Sequence, residues 1–178
     1  TFEMGLLKPE DWSGLWLGFS GGLNGSSILL RKQFEIQKKV IRARAYIAGL
    51  GYYELRLNGQ KVGDHVLDPG VTDYTKRILY STYDITEMLK KDKNVVGIVL
   101  GNGWYGMPKA LLQINIDFND GTREEVSTSW GWIHGWQAAL GPIISNSIFG
   151  GEVYDARLEK DGWDTVQYDI EKYSSEFV

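Results

Sequence analysis

The stretch from Arg42 to Gly70, RARAYIAGLGYYELRLNGQKVGDHVLDPG, constrains the fold more than any other part of the chain. Just before and within it, Ile41, Ala43, Ala45 and Ile47 fall on one parity, with Arg42, Arg44 and Tyr46 on the other. After Gly49 and Gly51 the alternation restarts, setting Tyr53, Leu55 and Leu57 opposite Glu54 and Arg56. Side chains of a strand point to alternate faces, so the pattern predicts two half-buried strands bent at a glycine-rich corner. Asn58-Gly59 offers the positive φ angles of a tight hairpin turn, and Val62 and Val66 carry the chain on. The chain reads as a β-protein built on that hairpin.

Further strands are expected on both sides of it. Leu29 to Ile36 alternates through Leu30, Phe34 and Ile36, and Ile78 to Tyr83 reads as another strand. Asn94 to Leu100 is continuously apolar and β-branched, as a strand buried on both faces would be. From Leu111 to Phe118 the alternation is strict, placing Leu112, Ile114, Ile116 and Phe118 inward. Asp120-Gly121 then signals a hairpin, with Val126, Thr128 and Trp130 on the return strand. Residues 142–148 and 152–158 are the last strand candidates. One helical candidate stands out, Asp84 to Lys91, with Asp84 or Thr86 able to cap it and lysines at its C-terminal end. It is expected to be one or two turns long. GFSGGLNGSS (18–27) is a loop, and the tail from Asp161 onward is polar. Many short strands with turn residues between them point to an all-β fold, a single antiparallel β-sandwich of the jelly-roll type.

Composition narrows the function. Hydrophobic residues make up 43% of the 178 and charged residues 24%, as in ordinary globular proteins. A net charge of -4 argues against nucleic acid or an anionic membrane as partner. No apolar run approaches the roughly 20 residues of a membrane span. With no cysteine there is no disulfide framework and no thiolate metal site, and the compartment stays open between cytoplasmic and secreted. Seven Trp, ten Tyr and 22 Gly suit a carbohydrate-binding sandwich, in which sugar C–H faces stack on aromatic rings. The plainer account of the same residues is a sandwich core and its turns.

Catalytic patterns are weak. The two histidines, His65 and His134, lie in different segments with no spacing that suggests a triad, and His65 reads as a solvated turn residue. Gly101-Asn102-Gly103 follows a buried strand, but Trp104 comes next and no helix opens for a phosphate. Glu124-Glu125 sits on a hairpin flank, where charge serves solubility. Two motifs rise above this background. GNGWYG (101–106) places an amide between two glycines beside two aromatic rings, which is either a sugar site or a tight loop with Trp104 folded into the core. GGEVYDAR (150–157) sets Asp155 and Arg157 two apart on an expected strand, able to form an ion pair, and a structural role there is favoured over ligand contact.

The hairpin stretch from ARAYIAGLG to VLDPG, then TDYTKRILYSTYDIT, LGNGWY, DGT and GEVYDARLE, in that order, resemble the N-terminal accessory domain of bacterial α-L-rhamnosidases. The resemblance covers roughly Leu29 to Asp164. It implies a jelly-roll β-sandwich like other galactose-binding-type domains, within a parent enzyme that removes terminal α-L-rhamnose. It also implies that the catalytic carboxylates belong to a separate (α/α)6 barrel, so this chain alone is expected to be inactive. By the same resemblance, residues 1–7 look like the remnant of a preceding fibronectin-like domain, with residues 8–178 forming the single sandwich. Some related domains bind rhamnose through a calcium ion and others buttress the barrel, so calcium stays open as a cofactor and the metal ligands are unassigned. The loop ends around Asn58, Asn102, Trp104, Tyr105 and Asn146 are the expected carbohydrate-binding residues. Two loops depart from the family pattern, a short one at Gly106 to Ala110 and a long one at Trp130 to Trp136.

Three functions follow for comparison. The first is a module recognising rhamnose-containing glycans for the enzyme. The second is an interdomain scaffold packed on the catalytic barrel of the same polypeptide, with no ligand of its own. The third, an autonomous glycosidase, is the least supported. Aromatic rings exposed on one loop rim favour the first, and rings wholly buried beside an open apolar patch favour the second.

Overall fold

A computed structural model of the chain describes residues 3–19, 25–129, 135–170 and 177. It contains twelve strands: β1 (Leu17–Gly18), β2 (Ile28–Ile36), β3 (Val40–Leu50), β4 (Tyr52–Leu57), β5 (Gln60–Lys61), β6 (Tyr80–Asp84), β7 (Asp92–Gly101), β8 (Lys109–Phe118), β9 (Arg123–Ser127), β10 (Trp136–Leu140), β11 (Ile143–Ser147) and β12 (Gly151–Tyr154). One five-stranded antiparallel sheet runs β1-β8-β3-β6, with β9 also paired to β8. The second runs β10-β2-β7-β4-β5, and β11 and β12 form a separate two-stranded ribbon. The result is the expected jelly-roll β-sandwich.

The core lies between the two five-stranded sheets and follows from alternation. Ala43, Ala45 and Ile47 of β3 and Leu112, Ile114, Ile116 and Phe118 of β8 meet Ile28 and Leu30 of β2, Val96, Ile98 and Leu100 of β7, and Tyr53, Leu55 and Leu57 of β4. β7 runs between β2 and β4, so both its hydrogen-bonding edges are paired. Its other face is covered by the C-terminal segment, where Leu29, Val99 and Ala139 pack with Trp163, Tyr168, Ile170 and Phe177. That is why residues 94–100 read as one unbroken apolar run.

Several expectations need correction in detail. β3 and β4 do bend at the glycines, but they belong to opposite sheets and the chain crosses between them at Gly51. Ile41 faces solvent, because a register shift between Val40 and Arg42 turns one residue out of the alternation. The helical candidate is a 3-10 turn at Thr86–Met88, where Asp84 Oδ1 accepts from both the backbone N–H and hydroxyl of Thr86. The expected strand over 152–158 stops at Tyr154, since Asp155 accepts from Arg157 N–H and starts a 3-10 turn over Ala156–Leu158. The Asp155–Arg157 ion pair forms across that turn at 2.5 Å. Trp130 and His134 lie outside the described residues. Residues 3–7 form no strand; Glu3 pairs with Arg42 and Arg44, and Leu6 O accepts from Tyr80 Oη. No helix among the described residues is long and apolar enough to cross a membrane.

Candidate functional site at the end of the central strand

β7 ends at Gly101, and the next residues fold into one tight turn in which Asn102 O accepts from the backbone N–H of Tyr105 (3.0 Å) and of Gly106 (3.3 Å). The turn sits directly on the sheet crossover. Gly51 has φ +90°, and a Cβ there would lie 2.5 Å from Gly101 O and 2.8 Å from Asn102 O. Glycine is required at that contact because the opposing atoms are backbone, which cannot swing aside.

Asn102 and Asn146 tie this turn to the β11–β12 ribbon. Asn102 N–H donates to Asn146 Oδ1 (2.7 Å), and Asn102 Nδ2 donates to Asn146 O (3.1 Å). Asn146 Nδ2 donates in turn to Gly25 O at 2.6 Å. The side-chain oxygen of Asn102 is buried with no hydrogen-bond partner among the described residues. Both amides thus brace the turn against the ribbon. What the turn does offer is aromatic surface. Trp104 is 53% exposed and Tyr105 38%, so Trp104 is not folded into the core.

Two further rings join them. Phe149, at the tip of the ribbon and 90% exposed, meets Trp104 edge-to-face with centroids 5.5 Å apart. Tyr74, on the long segment between β5 and β6, meets Tyr105 in the same manner at 5.6 Å. Sequence reasoning missed both. Ile148-Phe149-Gly150-Gly151 carried a usable signal, a large apolar residue at a turn; Tyr74 had none.

The segment bearing Tyr74 is held by Asp68. Its Oδ2 accepts from Ser81 Oγ (2.7 Å), Tyr53 Oη (2.8 Å) and Tyr83 Oη (2.9 Å), and His65 Nδ1 lies 3.0 Å away. Burial alone would raise the carboxyl pKa, but the bonds from Ser81, His65, Tyr53 and Tyr83 together hold it below the ordinary value. The same burial drives the Tyr53 phenol well above its usual range. His65, expected to be solvated, is thus half-exposed but bonded into this cluster.

Asn58 does not join the others. Tyr52 pairs with Gly101 at one end of β4, whereas Leu57 pairs with Val96 at the other, which puts Asn58 at the far end of the sheet. There its Oδ1 accepts from Val95 N–H and its Nδ2 donates to Met88 O and Asn94 Oδ1. The structure brings together Asn102, Trp104, Tyr105 and Asn146, and leaves Asn58 as a turn brace.

The carboxylates that stand out are engaged structurally. Asp117 pairs with Arg123, Asp120 with Lys38 and Asp164 with Arg56, and Glu125 accepts from Ser13 Oγ. Among the described residues, no group of three or more Asp, Glu or His side chains is gathered to hold a metal ion. The orphaned Asn102 oxygen is one acceptor, against the six to eight oxygens that calcium takes.

Comparison with known proteins agrees with this architecture. Residues 38–177 match the family model described as the α-L-rhamnosidase N-terminal domain. An α-L-rhamnosidase of Formosa agariphila is 34% identical over 94% of this chain, which spans 22% of that protein. The structure of an α-L-rhamnosidase from Dictyoglumus thermophilum superposes with a TM-score of 0.84 and 39% identity, over 94% of this chain and 21% of that one. A lectin of Pleurotus ostreatus shares the fold more loosely, with a TM-score of 0.53 and 26% identity over 81% of this chain and 38% of its own. The chain thus spans about a fifth of the length of the rhamnosidases it matches. With the family model covering most of its length, the chain belongs to the α-L-rhamnosidase N-terminal domain family.

Proposed function

We propose that this chain is a non-catalytic accessory domain of an α-L-rhamnosidase, and that it assists recognition of rhamnose-containing carbohydrate at the rim formed by Trp104 and Tyr105. The observation that carries this reading is the exposure of those rings on a turn packed against the Gly51 crossover and tied to the β11–β12 ribbon. Aromatic faces of this kind stack on the C–H faces and methyl group of a deoxy sugar, and a rigid turn holds them without a further ordering cost. Isothermal titration of the chain with L-rhamnose, with and without calcium, tests it. Saturable binding is expected, and no heat at millimolar sugar with calcium present overturns it. A chromogenic α-L-rhamnoside is expected to be left intact by this chain.

The alternative is an interdomain scaffold packed against the catalytic part of the same polypeptide. The β11–β12 ribbon favours it, since Ile144, Val153 and Tyr154 are all exposed on a two-stranded unit that is marginal alone. If rhamnose does not bind, this second reading stands.

A further inference from the structure

The four rings at this end of the sandwich have an arrangement that a single sugar does not use. Trp104 and Tyr105 are consecutive, with Cα atoms about 3.8 Å apart, yet they pair with rings from two different elements. Trp104 turns toward Phe149 on the β11–β12 ribbon, with planes at 88°, and Tyr105 toward Tyr74 on the β5–β6 segment, with planes at 78°. The aromatic surface therefore extends in two directions from one turn. Each edge-to-face contact leaves the outer faces partly exposed, Phe149 at 90%, Trp104 at 53% and Tyr105 at 38%.

We infer that Phe149, Trp104, Tyr105 and Tyr74 form one platform that takes an oligosaccharide of two or more sugar rings, with the outer rings Phe149 and Tyr74 contacting units beyond a single rhamnose. This rests on the carbohydrate reading above and specifies its ligand. Phe149 has no core role, being held almost fully open. Both outer rings are carried by braced segments. Asn146 fastens the ribbon to Asn102 and Gly25, and Ser147 Oγ accepts from Gly150 N–H across its tip. Asp68 fastens the segment that carries Tyr74 to β4 and β6. Rings fixed in this way lose little freedom when a glycan settles across them.

The test is titration of the chain with L-rhamnose, with the α-L-rhamnosyl-(1→6)-glucose disaccharide and with an α-linked rhamnose trisaccharide. The longer ligands are expected to bind about tenfold or more tightly than the monosaccharide. Phe149→Ala and Tyr74→Ala should each weaken the trisaccharide by roughly five- to tenfold and change L-rhamnose by less than about twofold. Phe149→Tyr and Tyr74→Phe keep the rings and should keep the affinity. If L-rhamnose binds but the trisaccharide binds no better, or if both alanine variants retain trisaccharide affinity, the platform is refuted while the carbohydrate reading survives. Loss of affinity in the ring-preserving variants refutes stacking as its basis. If no sugar binds, both readings fall.

Discussion

Asn102 and Asn146 are joined twice, backbone N–H to side-chain oxygen at 2.7 Å and side-chain amide to backbone carbonyl at 3.1 Å. The turn after β7 and the β11–β12 ribbon are thus braced to each other. Asn146→Ala removes the acceptor for Asn102 N–H and the donor to Gly25 O. Leaving such partners unmade costs about 1–3 kcal/mol, which in a domain of this size lowers the melting temperature by roughly 2–12 °C. Thermal denaturation checks it, and sugar affinity should fall in the same variant as the rim loosens.

Tyr105→Ala and Trp104→Ala act differently. Both rings are substantially exposed, so neither truncation opens a core cavity. Each should weaken rhamnose binding by about tenfold, or about 1–2 kcal/mol, with the melting temperature within a few degrees of wild type. Paired calorimetry and thermal melts separate the two effects. A large loss of stability in Trp104→Ala would mean that the ring supports the turn rather than the ligand.

Asp68 supplies a pH dependence with a defined sign. Its folded pKa lies below the ordinary carboxylate value, so its contribution is fully present above the unfolded pKa of roughly 4. It is lost as the pH falls through the depressed folded value. Asp68→Asn is therefore expected to be less stable than wild type at pH 7, with the gap narrowing below about pH 4. Urea midpoints at pH 7, 5 and 3 test this. A gap that stays constant across that range would assign the effect to packing instead of charge.

Gly51→Ala is expected to be the most damaging small substitution at the rim. It combines a φ of +90° with a built Cβ 2.5 Å from the Gly101 carbonyl oxygen. Strain of this kind costs on the order of 1–3 kcal/mol before the clash is added. Loss of soluble protein, or a melt lowered by more than Asn146→Ala lowers it, is the expected outcome.

The strands were legible because each carries its own pattern. Leu112, Ile114, Ile116 and Phe118 announce the inner face of β8, and Asn58-Gly59 and Asp120-Gly121 announce their turns through backbone preference alone. Which strands share a sheet was not legible, since β3 and β4 are adjacent in sequence but separated by the core. The exposure of Ile41 depends on a pairing irregularity opposite β8, which period-two reasoning cannot see. At the rim, Trp104 and Tyr105 were visible as aromatics beside glycines. Tyr74 and Phe149 arrive from 30 and 45 residues away in sequence, counted from Trp104, and Asn58 is carried to the far end by the length of β4.

The strand pairing also sets when this domain takes shape during synthesis. Among the described residues β2 pairs with β7 and β10 alone, and Ile28 pairs with Leu100 on one side and Leu140 on the other. Within this domain β2 therefore gains its first described strand partner only when β7 has followed it. Closing such distant pairings is entropically slow, and folding is expected in the millisecond-to-second range typical of sandwiches. Until β7 arrives, the apolar run Ile28-Leu29-Leu30 is the stretch most in need of shielding by a chaperone.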